Sequence, residues 1–386
     1  MFLSPPGCDF VKARDASTAL RPDLPPAQIH SSWYDIFLID SFYDFNTLVG
    51  VGNKGARIMI TSDFHVKRYF HYGALVREAL LHFKRYLRRE PLAFMDKEEE
   101  EERVTVQLIH PKKGLEWVGF KSWPPKATVE VPMRLSADGG CMFGTVMASS
   151  SEGGKVGGMV MGGSKSSSSG KEGGKVVAGR RQYTYFPSDP TPSVGGNGIG
   201  FLDAGEHSQN QFEAMRGGKD LLVYTSEILM EDMYVIGTPR AELYVRCLSP
   251  RAQQADFVVR LCDVSPDGKS KNICDGVRRV PFAELETMEW EEGGRKCGRV
   301  MKVSVNVYPT AVRFPKGHRV RIHVAPAGFI RWERNVMAYG YPSFIPVRFE
   351  VLHGWGGLEG GRKEGGSVVH LPMVPVESLA PSRLRS

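Results

Sequence analysis

The sequence predicts a mainly β protein with a short α/β part toward its N-terminus, and three observations carry that reading. Past residue 103, apolar and polar residues alternate in many short runs, the period-2 signature of half-buried strands. Turn residues separate these runs, as in an antiparallel sandwich or jelly roll. Between residues 26 and 90 the rhythm differs: short apolar runs alternate with stretches at helical spacing, in the order strand, helix, strand, helix.

Residues 1–25, rich in Pro and polar residues, read as a connecting segment. Pro26 to His30 is then a short strand entering the corner Trp33-Tyr34-Asp35. From Ile36 to Val49, the residues Phe37, Leu38, Phe42, Phe45 and Leu48 recur at roughly helical spacing. Arg57 to Ile60 forms the next strand. An amphipathic helix follows from Tyr72 to Arg89, with Val76, Ala79, Leu80, Phe83 and Leu87 as the stripe expected to be buried. Two strands and two helices are too few for a self-sufficient α/β layer, which needs more strands and a cover on both faces. Residues 26–95 therefore read as the end of a larger domain.

Glu98 to Glu102 read as a solvated linker, and residues 103–375 as the β part. Val104, Val106 and Leu108 alternate, as do Val129, Val131, Met133 and Leu135. Similar segments follow at 221–224, 241–245, 257–264, 300–307, 320–324, 347–351 and 368–371, and Ser265-Pro266-Asp267-Gly268 is an ordinary turn. From 149 to 179 the composition collapses mostly to Gly, Ser, Lys, Val and Met, which cannot bury enough apolar surface to offset ordering entropy; it reads as a disordered insertion. Gly195-Gly196-Asn197-Gly198-Ile199-Gly200 neither follows a clear strand nor opens a helix, so it reads as a tight turn rather than a phosphate loop. Residues 376–386 are a tail.

The net charge of +7 would suit a nucleic-acid partner if it were concentrated. It is scattered: the densest basic run, Lys84 to Arg89, is soon followed by Glu98 to Glu102, so no nucleic-acid partner is expected. No apolar run is long enough to span a bilayer, and Met1 to Phe10 lack the pattern of a signal peptide. The six cysteines show no metal-ligand rhythm and read as buried free thiols of a reducing compartment. A cytoplasmic protein with no metal, no cofactor and no membrane contact is the expectation.

Two residues carry the chemistry. Asp35 and His65 each close an apolar run where a strand should end, and open α/β sheets gather ligands outside the carboxyl ends of their strands. Acid then histidine is the tail of the chain order nucleophile, acid, histidine. The strained G-x-S-x-G turn that presents a serine nucleophile is absent from the sequence. On the residues alone Asp35, at a strand-to-helix junction, is more simply an N-cap, and Asp63 competes as a partner for His65.

Four stretches nevertheless resemble the Xaa-Pro dipeptidyl-peptidase and cocaine esterase (CocE/NonD) family of serine hydrolases: Ser31-Ser32-Trp33-Tyr34-Asp35-Ile36-Phe37, Asp189 to Gly196, Asp220 to Glu227, and Asp256 to Gly268. Phe314 to Val320 and Glu333-Arg334-Asn335 also look like family segments, the latter with Glu where Asp is usual. The resemblance implies the C-terminal fragment of an α/β-hydrolase domain followed by a jelly-roll, galactose-binding-like β-sandwich. It implies Asp35 as triad acid and His65 as triad base, although of Thr61-Ser62-Asp63-Phe64-His65 only the histidine matches the family. Trp33, Tyr34 and Phe37 are then expected beside the substrate, and the turn from Ser193 to Phe201 is expected to reach toward the site. The implied activity is acyl transfer from a small ester or peptide, with the nucleophile-bearing half absent from this sequence. The alternative is a non-catalytic accessory protein whose jelly roll binds a carbohydrate, a peptide or a partner chain.

Overall fold

A computed structural model describes residues 20–65, 72–88, 102–144, 176–198, 204–284, 287–292, 295–354 and 365–382. Strands β1 (Gln28–Tyr34), β2 (Arg57–Phe64) and β3 (Val104–Lys112) pair in parallel, and β4 (Leu115–Phe120) adds to β3 antiparallel. β1 runs further than its apolar residues suggest. Ser31 and Ser32 are polar, yet they pair with Ile60 and Thr61 and are buried, so pairing with β2 carries the strand to Tyr34.

Helices α1 (Leu38–Gly50) and α2 (Tyr72–Tyr86) belong to opposite faces of this sheet. Leu38, Phe42, Phe45 and Leu48 of α1 share a core with Trp33, Ile58 and Ile60, whereas Ala74 and Leu75 of α2 pack with Met59 and Trp117. The period-2 alternation of Ile58, Met59 and Ile60 sends neighbours to opposite faces, which is why each helix finds its own apolar partner. The stripe expected to be buried on α2 is not. Val76, Leu80, Phe83 and Leu87 are exposed, and Glu78 is buried instead. The helix is amphipathic as read, but of its apolar stripe only Ala79 is half-buried.

β3 joins the two parts: Val104, Thr105 and Val106 register on Ile58, Met59 and Ile60 of the parallel sheet, and further along the same strand Ile109 pairs with Val312 of the sandwich. The next strand in sequence after β4 is β5 (Val129–Leu135), which pairs within the sandwich. The expected tail is also partly built in: Ser382 N–H donates to the Trp117 carbonyl at 2.8 Å and Pro381 bridges Val118, so the segment covers the outer strand of the sheet.

The sandwich consists of β5, β6 (Gly140–Phe143), β7 (Gly179–Tyr185), β8 (Leu222–Ser226), β9 (Met233–Gly237), β10 (Arg240–Cys247), β11 (Gln254–Val264), β12 (Ser270–Pro281), β13 (Thr287–Glu292), β14 (Arg295–Asn306), β15 (Thr310–Phe314), β16 (Arg319–Ala325), β17 (Val347–His353) and β18 (Val368–Met373). Every β segment anticipated from alternation between 221 and 371 falls wholly or largely inside one of these strands. One ladder runs β12-β11-β16-β8-β6 and another β13-β14-β10, with β10 also pairing along parts of β17 and β18. Strand β10 alternates between buried and half-exposed residues, as an outer-facing strand should. β11 is buried nearly throughout, because a short helix, α3 (Asn210–Arg216), brings Phe212 onto its second face beside Val258 and Leu221.

Most of the expected disordered insertion, residues 149–175, lies outside the described residues. Its last residues belong to the fold: Ala137 N–H donates to the Val177 carbonyl at 3.0 Å, and β7 begins at Gly179. Among the described residues no helix is long and apolar enough to cross a membrane.

Candidate active site

Register brings Asp35 and His65 together. Tyr34 at the end of β1 is the partner of Phe64 at the end of β2, and the next residue on each strand is the candidate acid and the candidate base. Because the strands are parallel, both side chains emerge at the same carboxyl edge. The His65 Nδ1 lies 3.0 Å from the Asp35 Oδ1. The carboxylate is almost fully buried and the imidazole is about one-third exposed, at 2% and 32% of their side-chain surfaces.

Asp35 is not the N-cap of α1: that position is Phe37, and no side chain caps the helix there. The Asp35 Oδ1 accepts the Phe37 N–H at 2.9 Å in the turn before α1, and the same oxygen faces His65. A buried carboxylate held by a backbone donor has little freedom to rotate, so the imidazole it holds is fixed as well. With the Nδ1 proton directed at Asp35, Nε2 is left as the acceptor. That nitrogen has no hydrogen-bond partner among the described residues. Asp63 is buried within β2, and His65 turns to Asp35 rather than to this nearer residue in sequence.

The three aromatic candidates separate. Phe37 is half exposed and meets the His65 ring edge-on at 5.2 Å between centroids. Trp33 is buried in the core: its indole N–H donates to the Gln107 carbonyl at 2.6 Å, and its ring lies against Phe42 and Trp123. Tyr34 is also buried, and burial together with the charge of Glu206 pushes its hydroxyl well above the ordinary tyrosine range. Trp33 and Tyr34, on opposite faces of β1, are both buried because each face meets protein already packed there.

The turn at Gly195 does reach the site. Asn197, fully buried, donates from its side-chain amide to the carbonyls of Trp33 and Asp35 at 2.7 and 3.1 Å, and the Gly198 N–H donates to the Tyr34 carbonyl at 3.1 Å. The sandwich therefore grips the end of β1 over three consecutive carbonyls. Sequence reading gave this turn no chemistry of its own; one buried amide among glycines was the available signal.

Two polar clusters beyond the site went unforeseen. At the joint between the two parts, His110 on β3 pairs with Glu206, and its other nitrogen lies 3.5 Å from Asp263, which also holds His318 at 2.9 Å. Inside the sandwich, Cys262, His323 and Glu213 stand in a row, with 3.9 Å from sulfur to Nδ1 and 2.8 Å from Nε2 to the carboxylate. The row resembles a thiol nucleophile with its base. Burial, however, drives the Cys262 thiol far up and the imidazole down to about 4, so sulfur stays protonated and inert. Among the described residues no group of three or more His, Cys, Asp or Glu side chains is placed to hold a metal ion.

The model of the X-Pro dipeptidyl-peptidase C-terminal non-catalytic domain matches residues 96–330, more than half of the chain. The chain belongs to that family. A cocaine esterase from Rhodococcus sp. (strain MB1 Bresler) is 29% identical over 326 residues, which are 80% of this chain and 50% of the esterase. Among solved structures, an α-amino acid ester hydrolase superposes with a TM-score of 0.66 at 17% identity, over 95% of this chain and 58% of the hydrolase. An aminopeptidase from a marine sediment Thaumarchaeota archaeon gives 0.64 at 16% identity, over 95% and 58%. A CocE/NonD family hydrolase from Staphylococcus aureus gives 0.55 at 12%, over 90% and 54%. These structural likenesses establish the fold. The chain spans about half the length of the relatives it matches, and its residues 96–330 are the part that corresponds to the C-terminal non-catalytic domain. Asp35 and His65 precede the matched family segment.

Proposed function

We propose that Asp35 and His65 are the acid and the base of a Ser-His-Asp hydrolase acting on a small ester or on a peptide bond after proline. The observation that carries this reading is the 3.0 Å contact between the two side chains at the carboxyl ends of adjacent parallel strands. The serine and the oxyanion donors come from residues outside this sequence, which contains no G-x-S-x-G. In the reaction His65 Nε2 takes the serine proton as Oγ attacks the substrate carbonyl, then returns it to the leaving group. Asp35 keeps the Nδ1 proton in place and stabilises the imidazolium. Phe37, half exposed against the ring, forms one wall for the substrate. Magnitude bears on what the chain does by itself: triad members act as a unit, so a sequence without nucleophile and oxyanion hole contributes binding surface and half of a catalytic relay, not turnover.

The test is a fusion in which the nucleophile-bearing half of the cocaine esterase precedes residue 20 of this chain, probed with a fluorophosphonate. The fusion should label at its serine. His65→Ala should abolish labelling, and Asp35→Asn should slow it by about 10³ to 10⁴. Labelling that persists undiminished in H65A would refute the assignment and leave the accessory reading in its place.

A further inference from the structure

The backbone of Asp35 is held from outside its own sheet. Its carbonyl, and that of Trp33, accept hydrogen bonds from one side-chain amide, that of Asn197, 162 residues away on the sandwich. Both acceptors are carbonyl oxygens, so the amide can satisfy them only with its nitrogen, which fixes its orientation. Gly198 completes the grip through the Tyr34 carbonyl.

The far side of the same turn is anchored just as firmly. Gly196 exchanges backbone hydrogen bonds with Gly205 at 2.8 and 2.9 Å, and the Val194 carbonyl accepts from Gln209 and Asn272. Gly196 has a φ of +82°, and a Cβ there would lie 2.9 Å from Asp275 Oδ1 and 3.1 Å from Arg331 Nη1, so the turn sits directly on a buried ion pair of the sandwich.

We infer that Asn197 is a positioning residue for the Asp35 and His65 pair, and that the sandwich bears on the geometry of that pair through this amide. The inference deepens the proposed function and rests on it. The same Asp35 oxygen, Oδ1, meets both Phe37 N–H and His65 Nδ1, so a rotation of the Asp35 backbone moves that oxygen relative to Nδ1. The amide of Asn197, bonded to the carbonyls on both sides of Tyr34, opposes that rotation. A domain described as non-catalytic then acts on the reaction without touching substrate.

The experiment uses the full 386-residue chain and reads the ¹⁵N shifts of both ring nitrogens of neutral His65, which report where the proton resides. The wild-type chain should carry it on Nδ1. Asp35→Asn should shift the proton toward Nε2, and Asn197→Ala should shift it in the same direction, with Asn197→Ser as a second, polar truncation. His353, buried at the end of β17 and outside the residues that hold the turn, serves as the control and should keep its shifts in every variant. If D35N moves the His65 proton and neither Asn197 variant does, the positioning role is overturned while the pair stands. Should D35N leave His65 unchanged, the pair itself fails and the proposed function with it. Variants in which His353 moves together with His65 would also overturn the inference, because the amide would then be holding the fold as a whole.

Discussion

His353 offers a measurement of how the sandwich interior responds to acid. It is fully buried at the end of β17, with its Nε2 2.9 Å from the Tyr224 hydroxyl. Burial, helped by the nearby charge of Arg181, lowers its pKa from 6.5 to about 4, against the opposing influence of the Gly179 backbone and Asp138. A base whose folded pKa is depressed contributes stability that is complete above its unfolded pKa and is lost as pH falls. Between pH 6.5 and about 4 the unfolded chain binds a proton that the folded chain refuses. Linkage over that gap gives a loss of about 2 kcal/mol by pH 5 and about 3 kcal/mol by pH 4. The perturbation is His353→Gln, which keeps a polar group beside Tyr224 but cannot titrate. Urea unfolding of both proteins at pH 7.5 and pH 5 supplies the comparison. The variant should be less stable at pH 7.5 by roughly 1 kcal/mol for its altered hydrogen bond, yet lose about 2 kcal/mol less than wild type on acidification. Taking the difference between proteins removes His323, which burial also lowers to about 4, and the carboxylates. Equal losses in both proteins would refute the argument, as would an NMR titration in which His353 takes up its proton near pH 6.5.

Two further outcomes follow from the packing. Gly196→Ala should cost about 1–3 kcal/mol, because an alanine at a φ of +82° is strained and its methyl would press on Asp275, Asn272 and Arg331; an unchanged urea midpoint would show that the turn is free to move. The double change Leu80→Glu and Phe83→Glu on α2 should reduce binding of a hydrophobic dye while altering stability by less than about 1 kcal/mol, since both side chains are more than half exposed; a loss above about 2 kcal/mol would place them in a core.

The sequence by itself determined the elements whose patterns are local. Alternation at Ala241 to Val245 or Val347 to Val351 identifies a strand because the two faces of a sheet meet different surroundings, and the spacing from Phe42 to Leu48 identifies a helix because one side of it is buried. It also supplied Asp35 and His65, through their places at the ends of apolar runs and through family resemblance. Tertiary structure decided what no local pattern encodes. The pairing of β3 with the parallel sheet is a matter of which strand edge Val104 to Val106 meets, and alternating residues fit either edge. The burial of β11 on both faces depends on α3. Whether the stripe on α2 is covered depends on what lies opposite it, not on the stripe. Asn197 is the clearest case. In sequence it is one polar residue among glycines; in the fold its amide meets two carbonyls at the end of a strand 162 residues earlier, because hydrogen bonds between distant segments are set by how the two parts dock and leave no periodicity to read.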